Sequence, residues 1–223
     1  MSNADDPENA PASPTCYAGE LDPGALRPLS AEEQARQVAQ WRKQERERLI
    51  ALRLACSAEE RGAIAEGVAR ELDDLLDPGP DALVSLYWPF RGELDLRPWM
   101  RSFVKRGGRV ALPVVVAKGQ PLVFREWVPG ARMTHGVWKI PIPAEGAEVV
   151  PSVVIAPLVG HDPNCYRLGY GGGFFDRTLA TFAEKPLVIG VGDGSGAIAS
   201  IFPQSHDIPM DVVVTAAGRR FRA

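Results

Sequence analysis

Apolar residues in the first part of the chain recur at helical spacing. Val38, Trp41, Leu49 and Leu52 fall on one side of a stretch over residues 30–55. Its other side is dense in charge, with Arg36, Arg42, Lys43, Arg46, Arg48 and Arg53 among Glu45 and Glu47. Ser30 followed by Glu33 is a capping-box pattern and marks the start of this helix. Ser57 followed by Glu60 opens a second one, with Ile64, Val68, Leu72 and Leu75 at helical spacing. Asp77-Pro78-Gly79-Pro80 stops it.

The pattern then changes to short apolar runs separated by turns. Residues 83–88 form a strand candidate, and residues 96–105 are amphipathic and end at Gly107-Gly108, as a crossover helix would. Residues 110–116 read as a strand whose Pro113 points to an edge, an irregular stretch or a bulge, and residues 122–127 alternate weakly and can pair with it. Residues 153–156 and 187–191 are continuous β-branched and aliphatic runs, the mark of strands covered on both faces. Residues 174–184 between them read as a helix, and residues 212–215 as a last strand. Strands alternating with helices predict an α/β fold, a three-layer sandwich around a central, largely parallel sheet. One domain over residues 31–223 accommodates all of this. Residues 1–30, rich in Pro, Asp, Ala and Gly without a hydrophobic period, read as a disordered or loosely packed extension.

Composition narrows the function. The chain has 223 residues, 45% hydrophobic and 24% charged, which is enough to bury a core without disulfides or a structural metal. Cys16, Cys56 and Cys165 are scattered without CxxC spacing and read as reduced thiols. A net charge of −3 argues against nucleic acid or a membrane surface as partner. The start of the chain is acidic and lacks the apolar segment of a signal peptide, and no apolar run reaches membrane-spanning length. A cytoplasmic protein, a monomer or weak homodimer, is the expectation.

The richest stretch is the loop over residues 167–177, Arg-Leu-Gly-Tyr-Gly-Gly-Gly-Phe-Phe-Asp-Arg, lying between a buried strand and a helix. Ligands of open α/β sheets sit beyond the carboxyl ends of strands, where loops pass into helices. Gly171, Gly172 and Gly173 leave backbone N–H groups unshielded, and with the following helix N-terminus they can hold an anion. Arg167 and Arg177 can supply bidentate contacts to phosphate. Asp176 can cap the helix or bind the Mg2+ that accompanies a nucleotide. The loop is neither a dinucleotide fingerprint, since Phe174 stands where a third Gly or Ala belongs, nor a P-loop, since no Gly-Lys-Ser/Thr follows. On residue chemistry alone, an anion site and a structural turn stay equally open.

The string Arg-Leu-Gly-Tyr-Gly-Gly-Gly-Phe-Phe-Asp-Arg-Thr-Leu closely resembles the signature of the 5-formyltetrahydrofolate cyclo-ligase family, also called methenyltetrahydrofolate synthetase. Further blocks match in order: residues 41–46 and 53–61 (its basic first helix and Ser-x-Glu-Glu-Arg turn), 87–95, 138–141, 156–162 and 207–211. The resemblance implies a NagB/RpiA/CoA-transferase-like fold and an ATP- and Mg2+-dependent closure of 5-formyltetrahydrofolate to 5,10-methenyltetrahydrofolate. In that family the formyl oxygen attacks the γ-phosphate, and N10 then attacks the activated carbon as phosphate leaves. By resemblance Arg167 and Asp176 are the catalytic residues. Arg42, Lys43 and Arg46 with Arg167, Leu168, Gly169, Tyr170, Gly171, Gly172, Gly173, Phe174 and Phe175 would bind ATP. Phe90, Glu93, Trp138, Tyr170, Gly172, Gly173 and Phe174 would bind the reduced folate, Glu93 by hydrogen bonds to the pterin. Asp176 and Asp207 would ligate Mg2+.

Such chemistry needs positioning and charge neutralisation more than acid–base groups. Accordingly the sequence offers no Ser-His-Asp or Cys-His arrangement, and His135, His161 and His206 lack metal-ligand spacing. The chain departs from the family pattern at Arg42 (usually lysine), His161 (phenylalanine), Cys165 (glycine) and Phe174-Phe175 (a tyrosine pair). A non-catalytic nucleotide- or folate-binding paralogue of the same fold is the alternative, and a sugar-phosphate or acyl-transfer enzyme a weaker third. A second glycine-rich loop, residues 190–196, reads as a flexible strand-to-helix turn.

Overall fold

The structure is a computed structural model that describes residues 30–222. By their contacts the residues fall into two units, Met1–Ala39 and Gln40–Ala223. Of the first, residues 30–39 are described. They open helix α1 (Ala31–Ala55), where Glu33 N–H donates to Ser30 Oγ at 3.2 Å and Ser30 N–H to Glu33 Oε2 at 2.8 Å, the capping box the sequence predicts. The expected extension lies outside the described residues, except for Ser30.

In the second unit α1 continues and is followed by α2 (Ala58–Leu75), β1 (Leu83–Ser85), α3 (Arg97–Lys105), β2 (Arg109–Val115) and β3 (Leu122–Trp127). A hairpin of β4 (Met133–His135) and β5 (Pro141–Pro143) comes next, then β6 (Glu148–Val149) and β7 (Val153–Pro157). A second hairpin, β8 (Gly160–His161) and β9 (Arg167–Leu168), leads into α4 (Phe174–Leu179), β10 (Leu187–Val191), β11 (Val212–Thr215) and β12 (Gly218–Phe221). The main sheet runs β12-β11-β10-β7-β1-β2-β3-β6. Its middle, β11 to β2, is parallel, and β12, β3 and β6 add antiparallel edges.

Alternation along each central strand feeds two cores. Val84, Val110, Leu112, Ile155, Ile189, Val191, Val212 and Val214 join Leu72 of α2 and Met100 and Phe103 of α3 on one face. Leu83, Ala111, Val154, Val188 and Val213 point to the other face, where α4 brings Phe175 and Leu179. Three layers result. Pro113 is tolerated in an interior strand because β1 pairs with β2 only as far as Ala111, so the missing N–H faces no ladder partner there.

Three expectations need correction, the first being the strand-to-helix turn at residues 190–196: β10 runs into it as far as Val191, and among the described residues the next regular element is β11, with no helix between. The strand expected over 83–88 stops at Ser85, and residues 86–88 leave the sheet toward the site described below. The helix expected over 174–184 is only Phe174–Leu179. Hydroxyls end it: Thr178 Oγ1 donates to the Phe174 carbonyl at 2.6 Å while accepting the Leu122 N–H at 2.8 Å, and Thr181 Oγ1 donates to the Thr178 carbonyl.

Candidate active site

The glycine loop is placed by the β8–β9 hairpin. Buried Asp162 closes the hairpin turn, accepting N–H groups of Asn164, Tyr166 and Ile201 at 3.0, 3.1 and 3.2 Å. Leu168 and Val159 of the hairpin pack with Leu49 and Ile50 of α1. That contact carries the inner face of α1, with its arginines, to the loop that follows β9. Arg46 Nε donates to the Gly169 carbonyl at 2.7 Å. Gly171 has a φ of +89°, and a Cβ there would come within 3.2 Å of the Arg46 guanidinium carbon, so only glycine suits the position. Arg167 pairs with Asp176 at 3.2 Å and lies 4.9 Å over the Phe175 ring. Burial, together with the charges of Arg42 and Arg167, holds the Arg46 pKa below the ordinary arginine value. The crowded guanidiniums raise the local positive potential, which favours negative charge nearby. Arg177, expected to face phosphate, instead donates to the Gly172 and Gly173 carbonyls at 3.4 and 3.2 Å. With six residues and no side-chain cap, α4 contributes little dipole of its own.

A second wall rises where the chain leaves β1. Phe90, Arg91, Gly92 and Glu93 form a tight turn, closed by Glu93 N–H on the Phe90 carbonyl at 3.1 Å, with φ of +48° at Arg91 and +77° at Gly92. Two positive φ values mark the type I′ family of turns, which favours glycine at its second centre. The Phe90 N–H donates back to Glu93 Oε2 at 2.9 Å. Phe90 lies nearly parallel to Trp138 (centroids 6.3 Å, 12°), Trp138 stands edge-on to Phe174 (6.3 Å, 80°), and Tyr170 tilts against Phe90 at 6.1 Å. Trp138 and Lys139 are both left-handed, with φ of 57° and 58°, and the indole is 55% exposed. The left-handed backbone at these two residues costs conformational energy and presents the Trp138 ring to solvent beside Phe90 and Phe174. Burial raises the Glu93 pKa to about 7, although the Phe90 N–H, Arg53, Tyr170 and Arg167 pull it down.

Phe90, Glu93, Trp138, Tyr170 and Phe174 are thus brought together, with Gly172 under the Phe174 ring. Beside them an open cleft of about 420 Å³ is lined by Lys43, Arg46, Ile50, Leu54, Arg91 and Tyr170, among others. Arg42 and Asp207 are placed differently. Arg42 donates through Nε to the Ile201 carbonyl (2.8 Å), through Nη2 to the Phe202 carbonyl (2.9 Å) and Asp207 Oδ2 (2.6 Å), and through Nη1 to Asp207 Oδ1 (3.2 Å). Asp207 also accepts the Gln204 N–H at 2.6 Å. Burial opposes the charge on Asp207, yet the Arg42 and Gln204 hydrogen bonds outweigh it and lower its pKa. These two residues clamp the 201–207 loop, and the next residue, Ile208, gives its N–H to Asp176 Oδ1 at 3.3 Å. Among the described residues no group of three or more His, Cys, Asp or Glu side chains is placed to hold a metal ion.

The decisive observation is the match over most of the chain. Residues 38–216 fit the model of the 5-formyltetrahydrofolate cyclo-ligase family. The chain belongs to that family. The Escherichia coli (strain K12) 5-formyltetrahydrofolate cyclo-ligase is 34% identical over 140 residues, covering 59% of this chain and 76% of that protein. The Haemophilus influenzae cyclo-ligase is 25% identical over 185 residues, covering 78% and 98%. The solved structure of Aquifex aeolicus 5,10-methenyltetrahydrofolate synthetase superposes with a TM-score of 0.70 at 30% identity, covering 81% of this chain and 92% of that one. No described helix is long and apolar enough to cross a membrane.

Two charged residues beside this candidate site, Arg53 and Asp193, are not among those the sequence points to. Arg53 is 5% exposed, donates to Tyr170 Oη at 3.1 Å and to the Leu158 carbonyl, and has Asp193 at 3.9 Å. The signal for Arg53 was present: Arg42, Arg46, Leu49, Ile50 and Arg53 share one helical stripe. Arginines on that stripe read as solvated by type, although Leu52, counted as apolar-face, is 47% exposed.

Proposed function

We propose that the protein catalyses the ATP- and Mg2+-dependent conversion of 5-formyltetrahydrofolate to 5,10-methenyltetrahydrofolate, with release of ADP and phosphate. The observation that carries this reading is the juxtaposition of two unlike walls: the arginine-flanked glycine loop, and the Phe90–Trp138–Phe174 cluster with its partly buried Glu93. Arg46, Arg167 and the N–H groups of residues 169–173 receive the ATP phosphates, with Lys43 at the cleft mouth. Arg167 neutralises charge on the group being transferred. The flat rings of Phe90, Trp138 and Phe174 receive the pterin or aryl group, and Glu93 accepts its N–H donors.

Magnesium fits Asp176. Its side chain is 15% exposed, each of its oxygens accepts a single donor and keeps a free lone pair, and Mg2+ is commonly held by one or two carboxylates plus phosphate oxygens. The metal supplies charge neutralisation along the triphosphate. Asp207, committed to Arg42, positions the 201–208 loop behind Asp176, and Arg42 acts with it rather than on ATP.

The test mixes the protein with ATP, Mg2+ and (6S)-5-formyltetrahydrofolate and follows methenyltetrahydrofolate by its near-ultraviolet absorbance. Product forms only with all three present. Absence of product at high enzyme concentration, with nucleotide or folate still bound, would instead indicate a non-catalytic binding paralogue.

A further inference from the structure

Arg53 lies outside both the phosphate loop and the aromatic cluster, yet its contacts converge on the Glu93 turn. It is a charged side chain buried to 5% exposure, on the last turns of α1. Its alkyl stem packs against the turn that carries Glu93: a Cβ on Gly92 would lie 3.3 Å from Arg53 Cγ. Its guanidinium donates to the Leu158 carbonyl and, at 3.1 Å, to Tyr170 Oη, while Asp193 lies 3.9 Å from Nε. Tyr170 Oη in turn faces the Phe90 carbonyl at 3.5 Å, and the Phe90 N–H holds Glu93 Oε2 at 2.9 Å. Burying a guanidinium is expensive unless every contact is used, and here the contacts join α1, the glycine loop and the ends of β7 and β10.

We propose that Arg53 is a positioning residue for folate recognition: backed by Asp193, it fixes Tyr170 and the residue 90–93 turn so that the Glu93 carboxylate faces the aromatic cleft. It acts through Tyr170 and Phe90 and touches neither ATP nor the reacting carbon. Electrostatics agree with the geometry. The groups facing Glu93 are Arg53, Tyr170 and the Phe90 N–H, with Arg167 across the cleft and Tyr87 behind. Arg53 and Arg167 are the cations among them, and both favour the ionised carboxylate. Loss of Arg53 therefore moves Glu93 titration to higher pH and slackens its aim. The proposal rests on the cyclo-ligase reading of the site.

The test is kinetic and thermodynamic. Arg53→Met is expected to raise the folate KM about tenfold, the scale of one lost hydrogen bond to a charged group, with kcat and the ATP KM within about twofold of wild type. The acid limb of its kcat/KM profile for folate shifts upward, and Arg53→Lys restores most of the folate KM. Asp193→Asn removes the charge behind Arg53 without emptying the Arg53 site, gives a smaller folate-KM defect of the same kind, and keeps the question answerable if Arg53→Met fails to fold. Either variant folding with unchanged folate KM and unchanged acid limb overturns the proposal. A substrate-free arm separates this from the activity itself: the pH at which wild type and Glu93→Gln diverge in stability rises when both carry Arg53→Met. An inactive wild type in which that rise is still seen would sink the cyclo-ligase reading and keep the positioning role. An unmoved titration would sink the role.

Discussion

Replacing Glu93 with glutamine removes a titration while keeping an oxygen to accept the Phe90 N–H. The wild-type carboxyl sits in a partly buried turn, and burial lifts its pKa from 4.5 to about 7. The folded state holds its proton more tightly than the unfolded chain does. Stability from this group is therefore fully present below pH 4.5, declines as pH rises, and is gone once pH passes about 7. The swing is ~3 kcal/mol, because each tenfold change in proton affinity between the folded and unfolded states is worth ~1.4 kcal/mol. Urea denaturation of wild type and Glu93→Gln at a series of pH values from acid to mildly alkaline isolates the effect, because all other groups cancel in the difference. The glutamine variant should gain on wild type across the interval between the two pKa values and stay ahead by ~3 kcal/mol above it. Folate KM should meanwhile rise, since the amide is neutral and its NH2 group donates where the second carboxylate oxygen accepts. A stability difference that stays flat with pH would refute the argument, because it would mean Glu93 is solvated and not enclosed by the turn.

Other outcomes follow from the same contacts. Asp176→Asn should lower kcat by about a hundredfold or more, the usual scale for removing a charge-stabilising group, with urea denaturation measuring separately the stability lost with the Arg167 pair; full activity would remove Asp176 from the proposed metal ligands. Arg42→Lys keeps the charge but loses the fork that holds Ile201, Phe202 and Asp207, so denaturation should show a loss of ~3 kcal/mol with the ATP KM nearly unchanged. Asp207 carries a lowered pKa, so the stability its pair provides is present above the ordinary carboxylate pKa and is lost as pH falls through the folded value; Asp207→Asn should flatten that acid-side decline. Gly171→Ala, at φ +89° and against Arg46, should cost ~1 kcal/mol of stability and weaken ATP binding measured by calorimetry.

Much of the architecture was legible because its signals are local. Capping boxes at Ser30 and Ser57 mark two helix starts, and the run Leu187–Val191 is a parallel strand at the expected residues, buried from Val188 on. The β4–β5 and β8–β9 hairpins were not, since proline, glycine and histidine carry no period and the pairing is set by tertiary contact. The aromatic members of the site were nameable one by one from the family pattern. Residue type alone concealed the inward-facing arginines of α1: Arg42 and Arg53 are buried where a hydropathy reading places solvent. Cys165 is also explained only by coordinates. It takes a left-handed φ of 62° at the end of the Asp162 turn, the kind of position glycine favours.

In the proposed reaction one site joins ATP cleavage to folate ring closure. Recording phosphate release and methenyltetrahydrofolate absorbance together, in a single reaction started with 5-formyltetrahydrofolate, tests that coupling directly. The two products should appear in equimolar amounts, with both signals lowered together in Asp176→Asn. Phosphate released without ring closure, or closure proceeding without ATP, would contradict the coupling.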